Sequence, residues 1–507
     1  MINSKEIKVI DKNSEFYGTP ASELMENAGK GLADFINTKL KAKNKNILFF
    51  CGIGNNGGDG LVAARYLVKK KHNITVFLTG KEKDIKTKIS QKNLKKLKKT
   101  NTKIYNINSI EKIDELISPS DIIVDSMLGI GLSGDLREPY MGIVKKISSY
   151  KNKTIISADI PTGFGTSYSV KPDYTVTFHD VKNGMNKNNC GEIKTVDIKV
   201  PQKAEKYVGP GELVTFYPVP KKNSHKGENG RLLIVGGGPY YGAPALSSFA
   251  AQRTGVDLVY IATPKKVARA ITSYSPLLIK PVKLAKNIAK ISPTFIVKEL
   301  KNESILVEDD IPLINNLVSK VDTLLIGPGL GSADETQKTV EEIVKIFVDK
   351  KKSIVIDADA IKVIGNKHDL LRDSKTVLTP HTGEFKELTN IKLSKDLDER
   401  KRHVETWANK LGITIFLKGP VDIISNGKYT KLNDIHNQAM TVGGTGDVLA
   451  GVIGALLSKN VEPFNAARIG AFINGYAGNL AFKKKSYGLI ATDVIEEIPN
   501  VLKKFLQ

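Results

Sequence analysis

The residues of this sequence whose types and spacing best suit chemistry lie in Gly443–Gly451, GGTGDVLAG. Glycines let backbone N–H groups converge without interference from Cβ atoms. The apolar run after Asp447 predicts a buried helix whose N-terminus attracts anions, so we expect a phosphate at Gly444, Thr445 and Gly446. Asp447 would repel that anion, but it could take a proton from a hydroxyl that attacks a phosphoryl group. The alternative is that Asp447 only caps the helix.

A second group of polar residues lies in three loops of the first half, GNNGGDG, DSMLGIGLSGD and DIPTGFG. Asn56, Asp125 and Thr162, one from each loop, offer oxygen ligands suited to a monovalent cation or magnesium. Asp159 precedes a proline that restricts its backbone, and it is a candidate proton-transfer group. The alternative is that these residues are helix caps and turn residues.

The elements that must position these loops follow an α/β pattern. We expect buried strands at 46–50, 73–78, 121–124 and 154–158, a weaker strand at YTVTFHD, and helices at 21–41 and 61–70. Loops at the ends of such strands predict an N-terminal Rossmann-like doubly wound sheet, in which ligands bind at the carboxyl ends of strands.

The pattern changes at YPVPKKNSHKGENG, a proline- and lysine-rich segment that is typical of a linker. A second α/β pattern begins after it with RLLIV and GGGPYYGAPA, and no repeat relates the two halves. A chain of 507 residues is also too long for one ordinary core. The sequence therefore predicts two α/β domains, 1–218 and 219–507.

The composition predicts a cytoplasmic globular protein, with 41% hydrophobic and 25% charged residues. The N-terminus lacks the apolar core of a secretory signal, and no apolar run is long enough to span a membrane. Cys51 and Cys190 lie far apart without a metal-type spacing, which favours a reduced compartment. The histidines form no zinc-type cluster with carboxylates.

The net charge of +23 raises the question of nucleic-acid binding. Residues 81–103 contribute much of it, because ten lysines there face only Glu82 and Asp84. The apolar residues of this segment fall on one half of a helical wheel, which predicts a solvated helix face. Without interleaved aromatic residues or an arginine cluster, we expect no nucleic-acid partner. A general attraction of anionic nucleotides explains the charge as well.

Taken together, the motifs resemble a known family. GNNGGDGLVAARYL, VDSMLGIGLSGD and ADIPTG resemble the N-terminal domain of the NAD(P)H-hydrate epimerases. GGGPYYGAPALSS, GPGLG, LTPHTGEF, LKGP and MTVGGTGDVLAGVIGALL resemble the NAD(P)H-hydrate dehydratases, whose fold is ribokinase-like. The tandem, which covers essentially the whole chain, is similar to that of the bifunctional NAD(P)H-hydrate repair enzymes. One departure is GIGL in place of the usual GTGL, so that Ile130 lacks a hydroxyl.

For the first half, the resemblance implies an epimerase site that binds hydrated nicotinamide nucleotides. Asp159 would act as a catalytic group at the substrate, Lys182 would be a further active-site group, and Asn56, Asp125 and Thr162 would bind potassium. The residues implied to surround the substrate are Asn55, Asn56, Gly57, Gly58, Asp59, Gly129, Ile130, Gly131, Leu132, Ser133, Gly134 and Asp135.

For the second half, the resemblance implies that Ala243, Gly329, His381 and Asp447 contact the hydrated cofactor, with Asp447 as the catalytic base. Without the family, a single histidine such as His381 would be taken as a surface residue. Magnesium would accompany ADP or ATP. The residues implied to bind that nucleotide are Lys418, Gly419, Pro420, Val421, Asp422, Gly444, Thr445 and Gly446.

The function implied is repair of hydrated NADH and NADPH. The N-terminal domain would epimerise the R and S hydrates, and the C-terminal domain would dehydrate the S hydrate at the expense of ADP or ATP. Because GxxxxGK[ST] is missing, the protein is not a P-loop enzyme. One alternative is a kinase of a small vitamin-like alcohol with a non-catalytic nucleotide-binding N-terminal domain. Another is a nucleotide-sensing or lipoprotein-binding module. We expect a homo-oligomer without a membrane partner.

Overall fold

A computed structural model of the chain describes residues 2–41, 44–131, 134–273 and 295–507. The chain divides into two compact units, Met1–Glu205 and Lys206–Gln507, which are called the first and second unit below. Among the described residues, no helix combines the length and the apolar character needed to cross a membrane.

The first unit contains a seven-stranded sheet flanked by helices. Its strands are β1 (Asn46–Cys51), β2 (Asn73–Leu78), β3 (Lys103–Asn106), β4 (Ile122–Ser126), β5 (Thr154–Ala158), β6 (Tyr174–Phe178) and β7 (Glu192–Val196). Its α-helices are α1 (Ser4–Phe16), α2 (Ala21–Leu40), α3 (Asn55–Lys69), α4 (Lys88–Leu97), α5 (Ile113–Ile117), α6 (Tyr140–Ser149), α7 (Lys187–Cys190) and α8 (Gln202–Lys206). Short 3₁₀ helices span Glu82–Asp84 and Ile107–Lys112.

The strand order β3-β2-β1-β4-β5-β6-β7 is that of a Rossmann-like sheet, and every pairing is parallel. Strands covered by helices on both faces must be apolar along their whole length. The run from Leu48 to Phe50 is accordingly almost fully buried. The chain order reverses between β1 and β4, and such a reversal opens a crevice at the carboxyl ends of the two strands.

The second unit contains a nine-stranded sheet. Its strands are β8 (Arg231–Val235), β9 (Leu258–Thr263), β10 (Ile296–Glu299), β11 (Thr323–Ile326), β12 (Ser353–Ile356), β13 (Thr376–Leu378), β14 (Thr414–Leu417), β15 (Asp422–Ser425) and β16 (Thr430–Asn433). Its α-helices are α9 (Pro210–Phe216), α10 (Gly242–Arg253), α11 (Lys265–Ser273), α12 (Ile311–Val318), α13 (Asp334–Asp349), α14 (Asp359–Ile364), α15 (Thr382–Thr389), α16 (Leu397–Leu411), α17 (Thr445–Ser458), α18 (Pro463–Lys485) and α19 (Ala491–Leu506). Short 3₁₀ helices span Glu308–Asp310, Gly365–Leu371, Gln438–Thr441 and Ser486–Gly488.

The second sheet has the order β10-β9-β8-β11-β12-β13-β14-β15-β16. Its strands are parallel as far as β14, and β15 and β16 close the edge as an antiparallel hairpin. Helix α17 is buried from Val448 to Ser458, as its apolar sequence predicts. Gly451 permits this burial, because a Cβ there would lie 2.2 Å from the Ser247 carbonyl oxygen of α10.

The structure differs from the sequence-based prediction mainly around GNNGGDG. The helix expected to begin at Leu61 begins at Asn55, so the glycines lie in its first turns. A Cβ at Gly57 would lie 1.9 Å from the Gly52 carbonyl oxygen, so this glycine provides close packing within a helix. Strand β4 extends to Ser126 and therefore includes Asp125. The strand expected to be weak, β6, is buried from Thr175 onward.

Residues 206–218, expected at the end of the first domain, pack within the second unit. Val208 and Leu213 are fully buried in its core. The buried Glu212 carboxylate lies 3.7 Å from Lys431 Nζ and 3.9 Å from Arg468 Nη1. The predicted linker at 217–230 also belongs to the second unit, where Asp257 accepts hydrogen bonds from the Gly227 and Asn229 backbone N–H groups.

We therefore expect fragment 206–507 to be more stable than fragment 219–507. The shorter fragment loses buried apolar side chains and the carboxylate that neutralises Lys431 and Arg468. Removing one partner of a buried ion pair costs about 3–5 kcal/mol. Urea unfolding of both fragments, with Glu212→Gln in the longer one as a control for the charge, measures the difference. Equal free energies of unfolding would contradict this assignment of residues 206–218.

Candidate active sites

The crevice of the first unit is built around Asp125, which is fully buried at the end of β4. Its carboxylate accepts hydrogen bonds from Thr162 Oγ1 at 2.6 Å, the Thr162 backbone N–H at 2.8 Å and Ser157 Oγ at 2.9 Å. Burial outweighs these bonds and raises the pKa of Asp125. A positive charge beside this carboxylate would stabilise its ionised form.

Asn56 lies at the other side of this crevice, in the first turn of α3. Its backbone carbonyl accepts a hydrogen bond from Ser126 Oγ, next to Asp125. Both polar atoms of its side-chain amide are buried without a hydrogen-bond partner in the described structure. A Cβ at Gly129 would lie 3.4 Å from the Asn56 Cβ. Asp125 and Thr162 are therefore in direct contact, Asn56 lies near them through Ser126, and its buried amide has unmet bonding capacity.

A second group of charges lies at the end of β5. Asp159 has a positive φ of 65°, and its carboxylate accepts hydrogen bonds from Lys182 Nζ and from the Phe178 backbone N–H at 3.1 Å. Burial and the Asp159 charge raise the pKa of Asp59 well above its usual range and that of Asp11 to about 6. Asp11, on α1, was missed by the sequence analysis, because no motif marks it.

The loop after β4 contributes fewer contacts. Gly129 adjoins Asn56, and Ile130 packs against a small apolar cluster that includes Ile160 and Met185. This apolar contact accounts for an isoleucine at position 130, where the GTGL motif would have a threonine. Gly131, Gly134 and Asp135 are exposed, as is Asn55 on α3. Leu132 and Ser133 lie outside the described residues.

The corresponding crevice of the second unit lies between β8 and β11, where the strand order again reverses. Ala243 is at the start of α10, after β8, and Gly329 follows β11. A Cβ built on Gly329, which has a positive φ of 73°, would lie 3.2 Å from the Ala243 Cβ. These two predicted substrate contacts are therefore neighbours, and a side chain at Gly329 would clash with the Tyr240 carbonyl oxygen, 2.5 Å from its Cβ position.

Lys418 follows β14, and Asp357 follows β12. The Lys418 ammonium donates to Asp357 Oδ1 at 2.9 Å and lies 3.8 Å from Glu384 Oε2. Burial disfavours the charged form, but these two carboxylates outweigh it and raise the pKa of Lys418. The same ammonium lies 3.6 Å from the Cβ position of Gly446, at the N-terminus of α17. A fixed cation thus stands where the sequence predicts a phosphate.

Asp447 is in the first turn of α17, but it does not cap the helix. The N-cap is Gly444, with a φ of 96° and no side-chain cap. The backbone carbonyl of Asp447 accepts a hydrogen bond from Ser247 Oγ at 2.9 Å. Burial and the nearby Asp357 carboxylate raise the pKa of Asp447 to about 7, although Lys418 lowers it. A carboxyl group that titrates near neutral pH can act as a general base.

His381 is the N-cap of α15, and its side chain is 59% exposed. Its Nδ1 accepts hydrogen bonds from the backbone N–H groups of Gly383 at 2.9 Å and Glu384 at 3.1 Å. Because Nδ1 is the acceptor, the proton of the neutral ring resides on Nε2. Nε2 in turn lies 3.4 Å from Glu384 Oε1, and a contact of His381 with the substrate stays a prediction.

The predicted nucleotide-binding loop, Lys418 to Asp422, turns sharply between β14 and β15. Asp422 accepts hydrogen bonds from the Gly419 backbone N–H at 2.9 Å and from Asn433 Nδ2 at 2.8 Å. Asp422 therefore shapes the turn, and Pro420 at its tip is exposed. Asp357 was missed by the sequence analysis, although its position directly after a buried strand, in SIVIDADA, could have indicated it.

A cavity of about 940 Å³ lies elsewhere in the second unit. It is lined by residues at the amino ends of strands, such as Arg231 of β8 and Ser353 of β12, and it contains none of the predicted site residues. In open parallel sheets ligands bind at the carboxyl ends. The lysines around this cavity account for part of the positive charge of the protein.

Two protein families match different parts of this chain. The family described as YjeF-related protein N-terminus matches residues 21–184, and the family described as NAD(P)H-hydrate dehydratase matches residues 232–500. A protein of Hyperthermus butylicus named bifunctional NAD(P)H-hydrate repair enzyme Nnr is 36% identical over 99% of this chain and 92% of its own length. A protein of the same name from Methanocaldococcus jannaschii is 39% identical over 100% of this chain and 94% of its own.

Among solved structures, the ADP/ATP-dependent NAD(P)H-hydrate dehydratase of Bacillus subtilis, co-crystallised with ATP and Mg²⁺, is similar to part of this chain. It is 23% identical, with a TM-score of 0.47, and the match covers 59% of this chain and 98% of that protein.

The raised pKa of Asp447 predicts a pH dependence of stability. Between about pH 4 and pH 7 the folded protein retains a proton that the unfolded chain releases, so stability falls as the pH rises through this range. Asp447→Asn stays neutral and escapes this loss. Without ligand, the Tm of Asp447→Asn minus the Tm of the wild type should therefore rise from pH 4 to pH 7 and stay constant at higher pH. A Tm difference that does not change with pH would contradict the proposed burial of this carboxyl group.

Proposed function

This chain belongs to the bifunctional NAD(P)H-hydrate repair enzymes, and we propose that each of its two units carries one of the two activities. The enzyme is an NAD(P)H-hydrate epimerase and an NAD(P)H-hydrate dehydratase. Addition of water to the nicotinamide ring gives R and S hydrates. The first unit would interconvert them, and the second would return the S hydrate to NADH or NADPH. The observation that carries the second assignment is Asp447 beside Lys418 at the N-terminus of α17.

The dehydration we propose consists of a phosphoryl transfer and an elimination. The hydroxyl oxygen of the S hydrate attacks the terminal phosphoryl group of ADP or ATP while Asp447 takes its proton. The backbone N–H groups at Gly444, Thr445 and Gly446, together with the Lys418 ammonium, would neutralise the transferring phosphoryl group. The C–O bond to the new phosphate then breaks, and loss of a proton from the adjacent ring carbon forms the double bond. AMP or ADP and inorganic phosphate leave.

The rest of the site supports this assignment. Gly329 and Ala243 lie side by side where we propose that the nicotinamide ring binds, and His381 is exposed, with its Nε2 3.4 Å from Glu384 Oε1. No group of three or more His, Cys, Asp or Glu residues that could hold a metal ion occurs in the part of the chain that the structure describes. We therefore propose that magnesium enters with ADP or ATP, held mainly by phosphate oxygens and water.

For the first unit we propose that Asp159 transfers the proton in epimerisation. Lys182 would hold its carboxylate in position, because the Lys182 ammonium is itself anchored by donating to Thr177 Oγ1 at 2.8 Å and to the Phe178 carbonyl oxygen at 2.8 Å. Three hydrogen bonds fix this ammonium within reach of Asp159. Asp59 is a further candidate for this proton transfer, because burial and the Asp159 charge raise its pKa well above the usual range.

We also propose a potassium ion held by Asn56, Asp125 and Thr162. The donors fit this ion, because the Asn56 amide is buried without a partner and Asp125 lacks a neighbouring positive charge strong enough to offset its burial. Potassium, when bound, would compensate the Asp125 charge. The three oxygen-bearing side chains would thereby order the loops that enclose the substrate.

The kinase of a vitamin-like alcohol is not favoured, because relatives that match this chain from end to end carry the name of the bifunctional repair enzyme. The non-catalytic binding module is not favoured for the same reason.

We also propose a cellular location and an oligomeric state. A cytoplasmic location is supported by the free, buried Cys51 and Cys190. A homo-oligomeric state can be tested by sedimentation.

Asp447→Asn should lower the dehydration rate by ~10²–10⁴, because it removes the base but keeps the size of the side chain. The fall should appear in kcat more than in nucleotide affinity. Recovery of the reduced nicotinamide absorbance from hydrated NADH and ADP or ATP measures dehydration. Epimerisation of the hydrates, measured on the same variant, is the control and should be unchanged. Near-normal dehydration would exclude Asp447 as the base.

Epimerisation should require potassium, and Asn56→Ala should raise the concentration needed for half-maximal rate. This variant is sharper than Asp125→Ala, which also removes partners of Thr162 and Ser157, whereas the Asn56 amide has no partner to lose. The measurement is a titration with KCl at constant ionic strength, with tetramethylammonium chloride as the balancing salt. A rate that does not respond to potassium in the wild type would remove the ion from the site.

A further inference from the structure

Arg400, on α16, is buried in an unusual way. Its side chain is only 8% exposed, and its Nε and Nη2 atoms are both buried without a hydrogen-bond partner in the described part of the chain. A buried guanidinium is costly unless its charge and its N–H groups are compensated. Such an arginine in a folded protein indicates a missing partner.

Other arginines of the second unit are satisfied. The fully buried Arg468 donates from Nε and Nη2 to Asn465 Oδ1 at 2.9 and 2.6 Å. Arg231 makes a two-pronged ion pair with Asp322, with distances of 3.1 and 2.9 Å. The other buried arginine of this unit, Arg468, and the partly exposed Arg231 are therefore hydrogen-bonded, whereas two donor atoms of Arg400 have no partner among the described residues.

The position of Arg400 indicates where the missing partner would bind. A Cβ built on Gly419 would lie 2.6 Å from Arg400 Nη2, so the guanidinium lies against the backbone of the loop that follows β14. Lys418, the cation at the N-terminus of α17, is the adjacent residue of that loop. Asp422, the carboxylate whose charge acts on Arg400, already bonds to Gly419 and Asn433. The vacant donors thus adjoin the proposed nucleotide site.

We propose that Arg400 binds a phosphate group of the donor nucleotide, with Nε–H and Nη2–H donating to phosphate oxygens. This inference rests on the proposed function of the second unit and adds a residue to its site. The planar fork of a guanidinium matches two phosphate oxygens, and a charged partner offsets the cost of its burial. Gly419 is required in this arrangement, because any side chain there would displace the guanidinium.

Isothermal titration of ADP into the wild type, Arg400→Gln and Arg402→Gln tests the proposal. Arg402 is exposed on the same helix and provides the matched control. We expect Arg400→Gln to weaken ADP binding ~10–100-fold, as loss of charged hydrogen bonds does, and Arg402→Gln to leave it unchanged. Adenosine, which lacks phosphate, should bind the wild type and Arg400→Gln equally. NADH, whose pyrophosphate is the other phosphate source, should also bind both equally.

Thermal unfolding separates this role from a structural one. Without nucleotide, the Tm of Arg400→Gln should equal or exceed that of the wild type, since Nε and Nη2 lose no hydrogen bond and burial of the charge is relieved. With ADP, the stabilisation should be smaller than in the wild type. If Arg400→Gln fails to fold, Arg400→Lys provides the second test. This variant keeps the charge but lacks the planar fork of the guanidinium, so it should also bind ADP more weakly.

Unchanged ADP affinity in the Arg400 variants would overturn the role of Arg400 but not the proposed function. Weakened binding of NADH with unchanged binding of ADP would have the same consequence. Failure of the wild type to bind ADP or ATP would instead overturn the proposed donor, and the inference with it.

Discussion

The parallel pairing of β12, β13 and β14 is the constraint on which the site of the second unit depends. Asp357, His381 and Lys418 follow the carboxyl ends of these strands, either directly or after a short loop. The register pairs Ile356 with Leu378 and Leu378 with Ile415. A slip of one residue would reverse the direction of every side chain. The 2.9 Å bond between Lys418 and Asp357 therefore depends on a hydrogen-bond ladder made by residues that take no part in chemistry.

This arrangement also sets the proton affinities of the site. One ammonium, that of Lys418, faces Asp357 and Glu384 and influences Asp447 at a greater distance. Asp357 has the closer contact with this ammonium, whereas burial and the Asp357 charge leave Asp447 with a pKa of about 7. Asp357 thus holds the cation, and Asp447, whose contact with the cation is looser, is the group that we propose as the base.

The sequence predicted the α/β class, two strands to the residue (73–78 and 154–158) and the proximity of Asp125 and Thr162, although not the hydrogen bond between them. It failed where tertiary packing overrides local preference. Glycines in GNNGGDG suggest a loop, but close approach to Gly52 makes them part of a helix. Asp11 and Arg400 could not be found, because their roles come from neighbours distant in sequence. A lone aspartate or arginine on an amphipathic helix is indistinguishable from a solvated one until the fold buries it.

The same strand arrangement forms both crevices, but the charged side chains around them differ. Both open where the strand order reverses, and both lie next to the N-terminus of a helix, which favours anions. In the first unit, however, several aspartates lie there, and burial combined with the charges of Asp159 and Asp11 raises the pKa of Asp59. In the second, the Lys418 ammonium adds its positive charge at the N-terminus of α17, and Arg400 lies against Gly419 of the same loop. The first crevice is therefore suited to a cation and to proton transfer, and the second to phosphate, although both crevices open where the strand order reverses.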